Sequence, residues 1–295
     1  ILGASGMLGH TLFRLLAKND KYVVGGTLRA EPAKIQATYL QDHFVKYNCD
    51  ANFIEAFEVC IDEFKPNVVI NCIGAIKQID FGRKEANYLN SLFSHKVAAL
   101  AAQYNFRLIH FSTDCVFSGA VGNYSENDTP DAVDFYGWSK FQGEVTGPGC
   151  LTLRTSIIGH ELNSNVSLVD WFLNQNGTVN GFSNAYFSGY PTVFVSKVVE
   201  SIIDLESLSG LYHLASNPIS KYDLLLLVKK YYRVNTYIVE EKEFEINRSL
   251  NGSALNSVLN LASPSWDSLV EMMYKDYLDF KANNNTLNGR SICLN

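Results

Sequence analysis

Three short stretches of this sequence combine residue types that could perform chemistry. In Tyr136-Gly137-Trp138-Ser139-Lys140 a phenol and an ammonium stand four positions apart, which on a helix puts them on one face. A free phenol has a pKa of about 10 and gives up its proton reluctantly at neutral pH. A nearby ammonium stabilises phenolate, with about 1.4 kcal/mol needed for every tenfold gain in acidity, and so brings the hydroxyl towards the range of a general acid. A second stretch, Phe111-Ser112-Thr113-Asp114-Cys115-Val116-Phe117, ends a strand-like run at 107–111. The carboxyl ends of parallel strands are where open α/β sheets hold ligands. There Thr113 offers a second hydroxyl to the oxygen that Tyr136 would protonate. A Y-x-x-x-K pair alone arises often on surface helices, so the ordered combination of segments carries the weight.

The third stretch is Gly3-Ala4-Ser5-Gly6-Met7-Leu8-Gly9, between Ile1-Leu2 and a helical stripe of Leu8, Leu12, Leu15 and Leu16. A tight strand-to-helix turn needs residues free of Cβ strain. A pyrophosphate needs bare backbone at a helix N-terminus, where unpaired N–H groups and the dipole favour anions. Dinucleotide-binding turns of this kind place an acidic residue after the second strand to hold a ribose 2′-hydroxyl. Here the chain reads Thr27-Leu28-Arg29, and Arg29 offers a fork of donors to a 2′-phosphate. That favours NADPH over NADH, with Glu31 as the counter-reading for NAD and a merely solvated arginine as the bland one. Asp50, after a short strand-like run, is placed either to accept from an adenine amine or to close a turn.

These segments need a scaffold that alternates strands and helices. Strand-like runs at 22–28, 68–73, 107–111 and 151–158 are interleaved with helical stripes at 53–64, closed by Pro66, and 93–102. The alternation predicts an α/β fold, a Rossmann-type doubly wound parallel sheet covered on both faces. After Gly159 the rhythm loosens, and Asn, Gly and Ser crowd residues 163–184 as loops over a cleft would. A helix is predicted from Ser220, with Asp223 completing a capping box and 224–232 as its body. The domain reading is a NADP-binding domain at 1–158 and a smaller C-terminal α/β substrate lobe at 159–280. Part of 185–205 returns to the first domain, and 281–295 is an Asn-rich, poorly ordered tail.

Composition agrees with an enzyme-sized globule. The 295 residues exceed one average domain, and 47% hydrophobic with 18% charged residues exclude wholesale disorder. A net charge of −6, from 24 basic and 30 acidic side chains, argues against nucleic acid as a partner. No run approaches the ~20 apolar residues of a membrane span, and no basic-then-apolar leader opens the sequence. No membrane association and a cytoplasmic location are therefore expected. Cys49, Cys60, Cys72, Cys115, Cys150 and Cys293 are scattered without a C-x-x-C pair, which reads as reduced thiols and no metal site.

Together the motifs resemble an extended short-chain dehydrogenase/reductase, and within it the dTDP-4-dehydrorhamnose reductase-like group of nucleotide-sugar 4-ketoreductases. The resemblance is carried by the glycine turn, Asn71-Cys72-Ile73-Gly74, the Ser112-Thr113-Asp114-Cys115-Val116-Phe117 segment, Tyr136 to Lys140, and Leu153-Arg154-Thr155-Ser156. It extends to about Tyr277. It implies that Thr113, Tyr136 and Lys140 are the catalytic set, that Lys140 also holds the nicotinamide ribose, and that Asn90 helps order the site. The cofactor would meet Gly3, Ser5, Gly6, Met7, Leu8, Gly9, Arg29, Asp50, Cys72, Ile73, Gly74, Asn90, Tyr136 and Lys140. Arg248 is similar to the family's pyrophosphate-binding arginine, and Asn184 joins Thr113 against the substrate. The implied reaction passes hydride from NADPH to C4 of a 4-keto-6-deoxy sugar on a nucleoside diphosphate, in deoxysugar biosynthesis. Tyr136 protonates the alkoxide and Thr113 shares its charge. Family members are often dimers, so a homodimer is the assembly the resemblance implies.

Single residues separate neighbouring chemistries. Related 4,6-dehydratases carry an Asp-Glu pair after the threonine, whereas here Asp114 is followed by Cys115, which cannot serve as that acid. A 4-epimerase shares the tyrosine and lysine, but the S-T-D-x-V-F pattern speaks against it. Some relatives bind NADP and a partner enzyme as regulatory subunits without turnover, yet this chain keeps the full threonine, tyrosine and lysine set. Rhamnose-forming enzymes follow the R-T-S strand with aromatic residues, where this sequence has Ile157-Ile158-Gly159-His160-Glu161. The region with Trp171, Phe172, Phe182, Asn184 and Phe187-Ser188-Gly189 is more similar to reductases making UDP-linked 2-acetamido-2,6-dideoxy-L-hexoses. A UDP-2-acetamido-2,6-dideoxy-L-hexos-4-ulose is therefore the expected substrate, with dTDP- or UDP-4-dehydrorhamnose as the alternative. His160 would meet the sugar or nucleotide, or cap a strand end, and Trp171 and Phe172 read as core rather than as a sugar platform.

Overall fold

A computed structural model of the chain describes residues 1–29, 38–162 and 164–285. The expectations for Glu31, Asn163, Cys293 and the tail beyond 285 lie outside the described residues. In chain order the elements are α1 (Met7–Leu16), β1 (Gly25–Thr27), β2 (Phe44–Lys46), α2 (Ile54–Phe64), β3 (Val68–Asn71), α3 (Gly82–Asn87) and α4 (Phe93–Tyr104). They continue with β4 (Arg107–Thr113), α5 (Phe135–Gln142), β5 (Cys150–Thr155), β6 (Ile157–Ile158), α6 (Leu168–Leu173), β7 (Thr178–Phe182), β8 (Ala185–Phe187) and β9 (Tyr190–Pro191). The last are α7 (Thr192–Ile203), β10 (Gly210–His213), β11 (Ile219–Ser220), α8 (Lys221–Tyr232), β12 (Tyr237–Glu241), β13 (Ile246–Asn247), α9 (Ser253–Leu259) and α10 (Trp266–Asn285).

The principal sheet is parallel. β2 pairs with β1, Leu2 bridges both Thr27 and Asn71, and β3, β4, β5 and β10 follow in that order. The order reverses at Leu2, whose neighbours are β1 on one side and β3 on the other. In doubly wound sheets such a reversal opens the ligand crevice at the strands' carboxyl ends. All seven positions of β4 are buried because helices cover both faces. Alternate residues feed two cores. Ile70, Ile109 and Leu153 pack with Leu12, Phe13, Phe194 and Val198 on one face. Val69 and Leu108 pack with Phe57, Ile61, Phe93 and Val97 on the other.

The predicted strand at 151–158 is interrupted. β5 stays in the sheet, while β6 leaves it to pair with β9, and Gly189 packs closely onto the Ser156 carbonyl at the break. After β9 the chain returns to the first sheet: Thr11 Oγ1 of α1 donates to Thr192 Oγ1 of α7 at 3.2 Å, and β10 adds to β5. A third apolar cluster, with Phe172, Val179, Leu224, Ile238 and Val270, underlies the remaining elements, where β7 pairs with β12 and β8 lies between β11 and β13. Ser220 caps α8 as expected, its Oγ accepting the Asp223 N–H at 3.0 Å, but the Asp223 carboxylate accepts from that hydroxyl at 2.7 Å in place of the reciprocal backbone bond of a capping box. Lys281 continues α10 rather than opening a tail. Among the described residues no helix is long and apolar enough to cross a membrane.

Candidate active site

Gly3 turns at φ 78°, and Gly6 precedes α1 without a side-chain cap. A Cβ on Gly9 would lie 2.1 Å from the Gly3 carbonyl oxygen, so the helix reaches the turn only with glycine there. With no acidic residue in the first turn, the free N–H groups and the dipole make a bare anion site. Ser5, Met7 and Leu8 lie in this turn and the start of the helix. Across the crevice Cys72 donates its N–H to the Leu2 carbonyl at 3.0 Å, and Ile73 and Gly74 continue that wall. These residues fit a dinucleotide.

At the far end of β1 the Leu28 carbonyl accepts the Cys49 N–H at 2.9 Å, which brings the Arg29 and Asp50 segments together. Arg29 is exposed at that edge. Asp50 Oδ1 accepts from both the backbone and side-chain nitrogens of Asn52 at 2.9 Å, the turn-closing alternative.

The Tyr136 to Lys140 segment is helical, as its spacing requires. Asp134 caps α5, its Oδ1 accepting the Gly137 N–H at 2.8 Å. Gly137 lets the helix lie on the loop after β4: a Cβ there would stand 2.0 Å from the Cys115 carbonyl oxygen. Ser139 Oγ donates to the Tyr136 carbonyl at 2.8 Å and accepts from Asn90 Nδ2 at 3.0 Å. Asn90 owes its direction to a single wide turn of π type, Tyr88–Leu92, joining α3 to α4. Such turns recur at functional sites. Its Oδ1 accepts the Ala75 N–H at 2.8 Å.

Lys140 Nζ donates to the Phe111 carbonyl at 2.6 Å and lies 3.6 Å from the place a Gly74 Cβ would take. Thr113 ends β4, accepts the Cys115 N–H at 3.2 Å, donates to Asp114 Oδ1 at 3.1 Å and lies near the Tyr136 hydroxyl. Lys140 of α5 and Asn90 of the π-type turn therefore meet at Gly74, while Tyr136, on the same helix as Lys140, faces Thr113 at the end of β4.

The electrostatics differ from the sequence expectation. Burial raises the Tyr136 pKa above its ordinary value; Cys115, Asp114 and Asp134 add to the rise, and the Thr113 hydrogen bond opposes it. The Lys140 ammonium does not bring the phenol down. It is itself buried and turned to a carbonyl, and desolvation lowers its pKa to about 8 despite the pull of Glu144. The phenol thus stays protonated at neutral pH, the form a general acid uses. Burial, then Asp114, pushes the Cys115 thiol up to about 12, so that side chain is neutral.

Arg248, directly after β13, reaches the loop after β4: its Nε donates to the Phe117 carbonyl at 2.9 Å and one terminal nitrogen lies 3.7 Å from Cys115 Sγ. Asn184 spends its amide on the Lys242 carbonyl at 2.8 Å, and its backbone carbonyl accepts the Ile246 N–H at 3.1 Å. It therefore supports β13, two residues from Arg248. His160 neither caps a strand nor is left open for a sugar. Its ring nitrogens pair with Asp170 at 2.6 Å and Tyr232 at 2.7 Å, and Tyr277 lies against its face at 4.2 Å. Phe172 is core, whereas Trp171 is 38% exposed.

Sequence reasoning missed the support beneath the site. Arg154 forms a two-pronged pair with Glu144, Nε to Oε1 at 2.7 Å and the terminal nitrogen to Oε2 at 2.8 Å. Ser112, next to Thr113, donates to the same Oε1 at 2.7 Å. The R-T-S motif flagged Arg154 but not its partner. Lys77 pairs with Asp134 at 2.5 Å. Cys49 and Cys60 bring their sulfurs within 3.8 Å, a proximity that their separation in sequence conceals.

The sequence profile described as the RmlD substrate binding domain matches residues 1–277. A dTDP-4-dehydrorhamnose reductase of Aggregatibacter actinomycetemcomitans is 30% identical over 242 residues, 77% of this chain and 76% of that protein. Methionine adenosyltransferase 2 subunit beta of Xenopus laevis is 26% identical over 252 residues, 76% of this chain and 69% of that one. The solved dTDP-4-dehydrorhamnose reductase of Bacillus anthracis, in complex with NADP, shares the fold with a TM-score of 0.74 at 19% identity, covering 93% of this chain and 97% of its own. The glycine turn, the Thr113, Tyr136 and Lys140 cluster and these matches lead to one placement: the chain belongs to the RmlD substrate-binding-domain family, among the dTDP-4-dehydrorhamnose reductase-like extended short-chain dehydrogenase/reductases.

Proposed function

We propose that this protein is an NADPH-dependent reductase of the 4-keto group of a nucleotide-activated 6-deoxy sugar. The observation that carries the reading is one helix, α5, that sets Tyr136 beside Thr113 and brings Lys140, together with Asn90, to the backbone at Gly74. Residues 1–158 would hold the cofactor and 159–280 the sugar nucleotide.

When bound, the cofactor supplies the hydride that reduces C4. The chain supplies position and the proton. The turn from Gly3 to Gly9, with Ser5, Gly6, Met7 and Leu8, takes the pyrophosphate, and Cys72, Ile73 and Gly74 form the opposite wall. Asn90 fixes Ala75 and, through Ser139, the helix that bears Tyr136. Lys140 holds the nicotinamide ribose. Thr113 and Tyr136 aim hydroxyls at the carbonyl oxygen, and the buried, neutral phenol gives up its proton as that oxygen gains charge. Arg248 suits the diphosphate with fork-shaped donors. A dehydratase would need a carboxylic acid where the neutral Cys115 stands.

Arg29 supports NADPH over NADH, and Asp50 adjoins the adenine end. Support for a UDP-2-acetamido-2,6-dideoxy-L-hexos-4-ulose comes from Ile157 to Glu161 and the segment from Trp171 to Gly189. Within that segment Ser188 Oγ accepts the Leu250 N–H at 2.9 Å, which backs the strand end presenting Arg248. The likeness to methionine adenosyltransferase 2 subunit beta favours a second reading, an NADP-binding subunit without turnover, but the intact catalytic set supports the reductase.

A substrate panel tests this: NADPH and NADH, each with UDP- and dTDP-linked 4-keto-6-deoxy sugars, with and without a 2-acetamido group. NADPH with the UDP-acetamido sugar should turn over fastest. Faster turnover of a 4-dehydrorhamnose would reassign the substrate, and cofactor binding with no turnover on any sugar would favour the subunit.

A further inference from the structure

A cleft of about 440 Å³ separates the loop after β3 from the start of α5, with Ile76, Lys77 and Ile79 on one side and Asp134, Phe135 and Tyr136 on the other. The two ends of the loop are held differently. Ala75 is buried and its N–H is fixed by Asn90. Gly82 turns at φ 69° in open space, where an added Cβ would meet nothing within 4 Å. Between them residues 76–80 are exposed, and Ile76 and Ile79 present apolar side chains to the cleft at 37% and 43% exposure. Those side chains gain burial when the cleft is filled.

One contact ties the middle of this loop to the catalytic helix. Lys77 Nζ meets Asp134 Oδ2 at 2.5 Å, while Oδ1 of the same carboxylate caps α5 at Gly137. A single side chain thus sets the helix that carries Tyr136 and fastens the loop facing it. Arg83 adds a weaker tie, its guanidinium 5.5 Å from the centre of the Phe135 ring. Lys77 and Asp134 are 53% and 27% exposed, so the pair is screened by water and weak enough to open at each turnover.

We infer that Lys77 and Asp134 are positioning residues, a latch that closes residues 75–83 as a lid over the sugar end of the site. The inference rests on the reductase reading above. Cofactor binding does not depend on the latch, since Asn90 anchors Gly74 and Ala75 separately.

The test uses Lys77→Met, Asp134→Asn (which keeps the cap acceptor) and the double variant, with Lys77→Arg as the conservative control and Tyr136→Phe in parallel. Each single variant should lower kcat/KM for the sugar turned over in the panel by about fivefold, the size a part-exposed pair can supply. The double variant should lose no more than either single, Lys77→Arg should restore most of the loss, and the NADPH Kd should stay within about twofold of wild type. Trypsin cleavage after Arg83 should also accelerate about fivefold in both singles, a readout independent of turnover. Additive losses in the double variant, or unchanged cleavage at Arg83, would overturn the latch. Full turnover in Tyr136→Phe would instead sink the reductase reading, with the cleavage result still deciding whether the pair holds the loop.

Discussion

Lys140 and Tyr136 divide a task that the sequence assigned to their mutual attraction. Burial keeps the phenol protonated and weakens the ammonium, whose pKa falls to about 8. In the proposed mechanism the alkaline limit of the reaction therefore belongs to the lysine. Below about 8 Lys140 is charged and can hold the ribose and oppose charge left on Tyr136; as pH rises through that value the charge is lost. The pH profile of kcat/KM should fall above about 8, and earlier in Glu144→Gln, because the Glu144 carboxylate raises the Lys140 pKa. A profile flat to the ordinary phenol value of 10.0 would contradict this. At this scale the placement of Thr113 at a strand end and of Tyr136 and Lys140 on one helix was legible from local motifs, whereas Asn90 came only with the family resemblance. The direction in which the Tyr136 pKa moves was not, because desolvation depends on neighbours that the local motif does not name.

At the scale of elements, the alternating strands and helices were legible from period, and the cap of α8 from Ser220 and Asp223. Three features were hidden. The π-type turn at Tyr88–Leu92 leaves the apolar stripe of α4 intact while redirecting Asn90. The run at 151–158 stays apolar across the break between β5 and β6, which its composition does not mark. The Glu144–Arg154 pair joins the end of α5 to β5 and has no local signature. Its burial makes it costly to break: both side chains are under one-tenth exposed, 6% and 4%. Glu144→Gln should lose about 3 kcal/mol of stability in urea unfolding, because Arg154 is left charged and buried. Replacing both residues with methionine should recover much of that. A loss below about 1 kcal/mol in the single variant would mean the pair is not under Thr113 as a support.

For the whole molecule, a doubly wound parallel sheet was legible from the alternating strands and helices, whereas the strand order and its reversal at Leu2 came only with the structure. The pairing of β7 with β12 and the addition of β10 to β5 were not legible, because contacts between distant segments leave no periodic trace, whereas a return of part of 185–205, which holds α7, was among the expectations. The first and last helices of the described chain are tied as well: Arg14 of α1 grips Asp276 of α10 through two bonds of 2.8 and 2.6 Å. The most direct check on the central claim is isotope transfer. With NADPH deuterated at the reactive nicotinamide carbon and a 4-keto-6-deoxy nucleotide sugar, wild type should place the deuterium on sugar C4. Tyr136→Phe should do so at least about a hundredfold more slowly while binding NADPH normally. A product without the label, or full-rate labelling by Tyr136→Phe, would contradict the account.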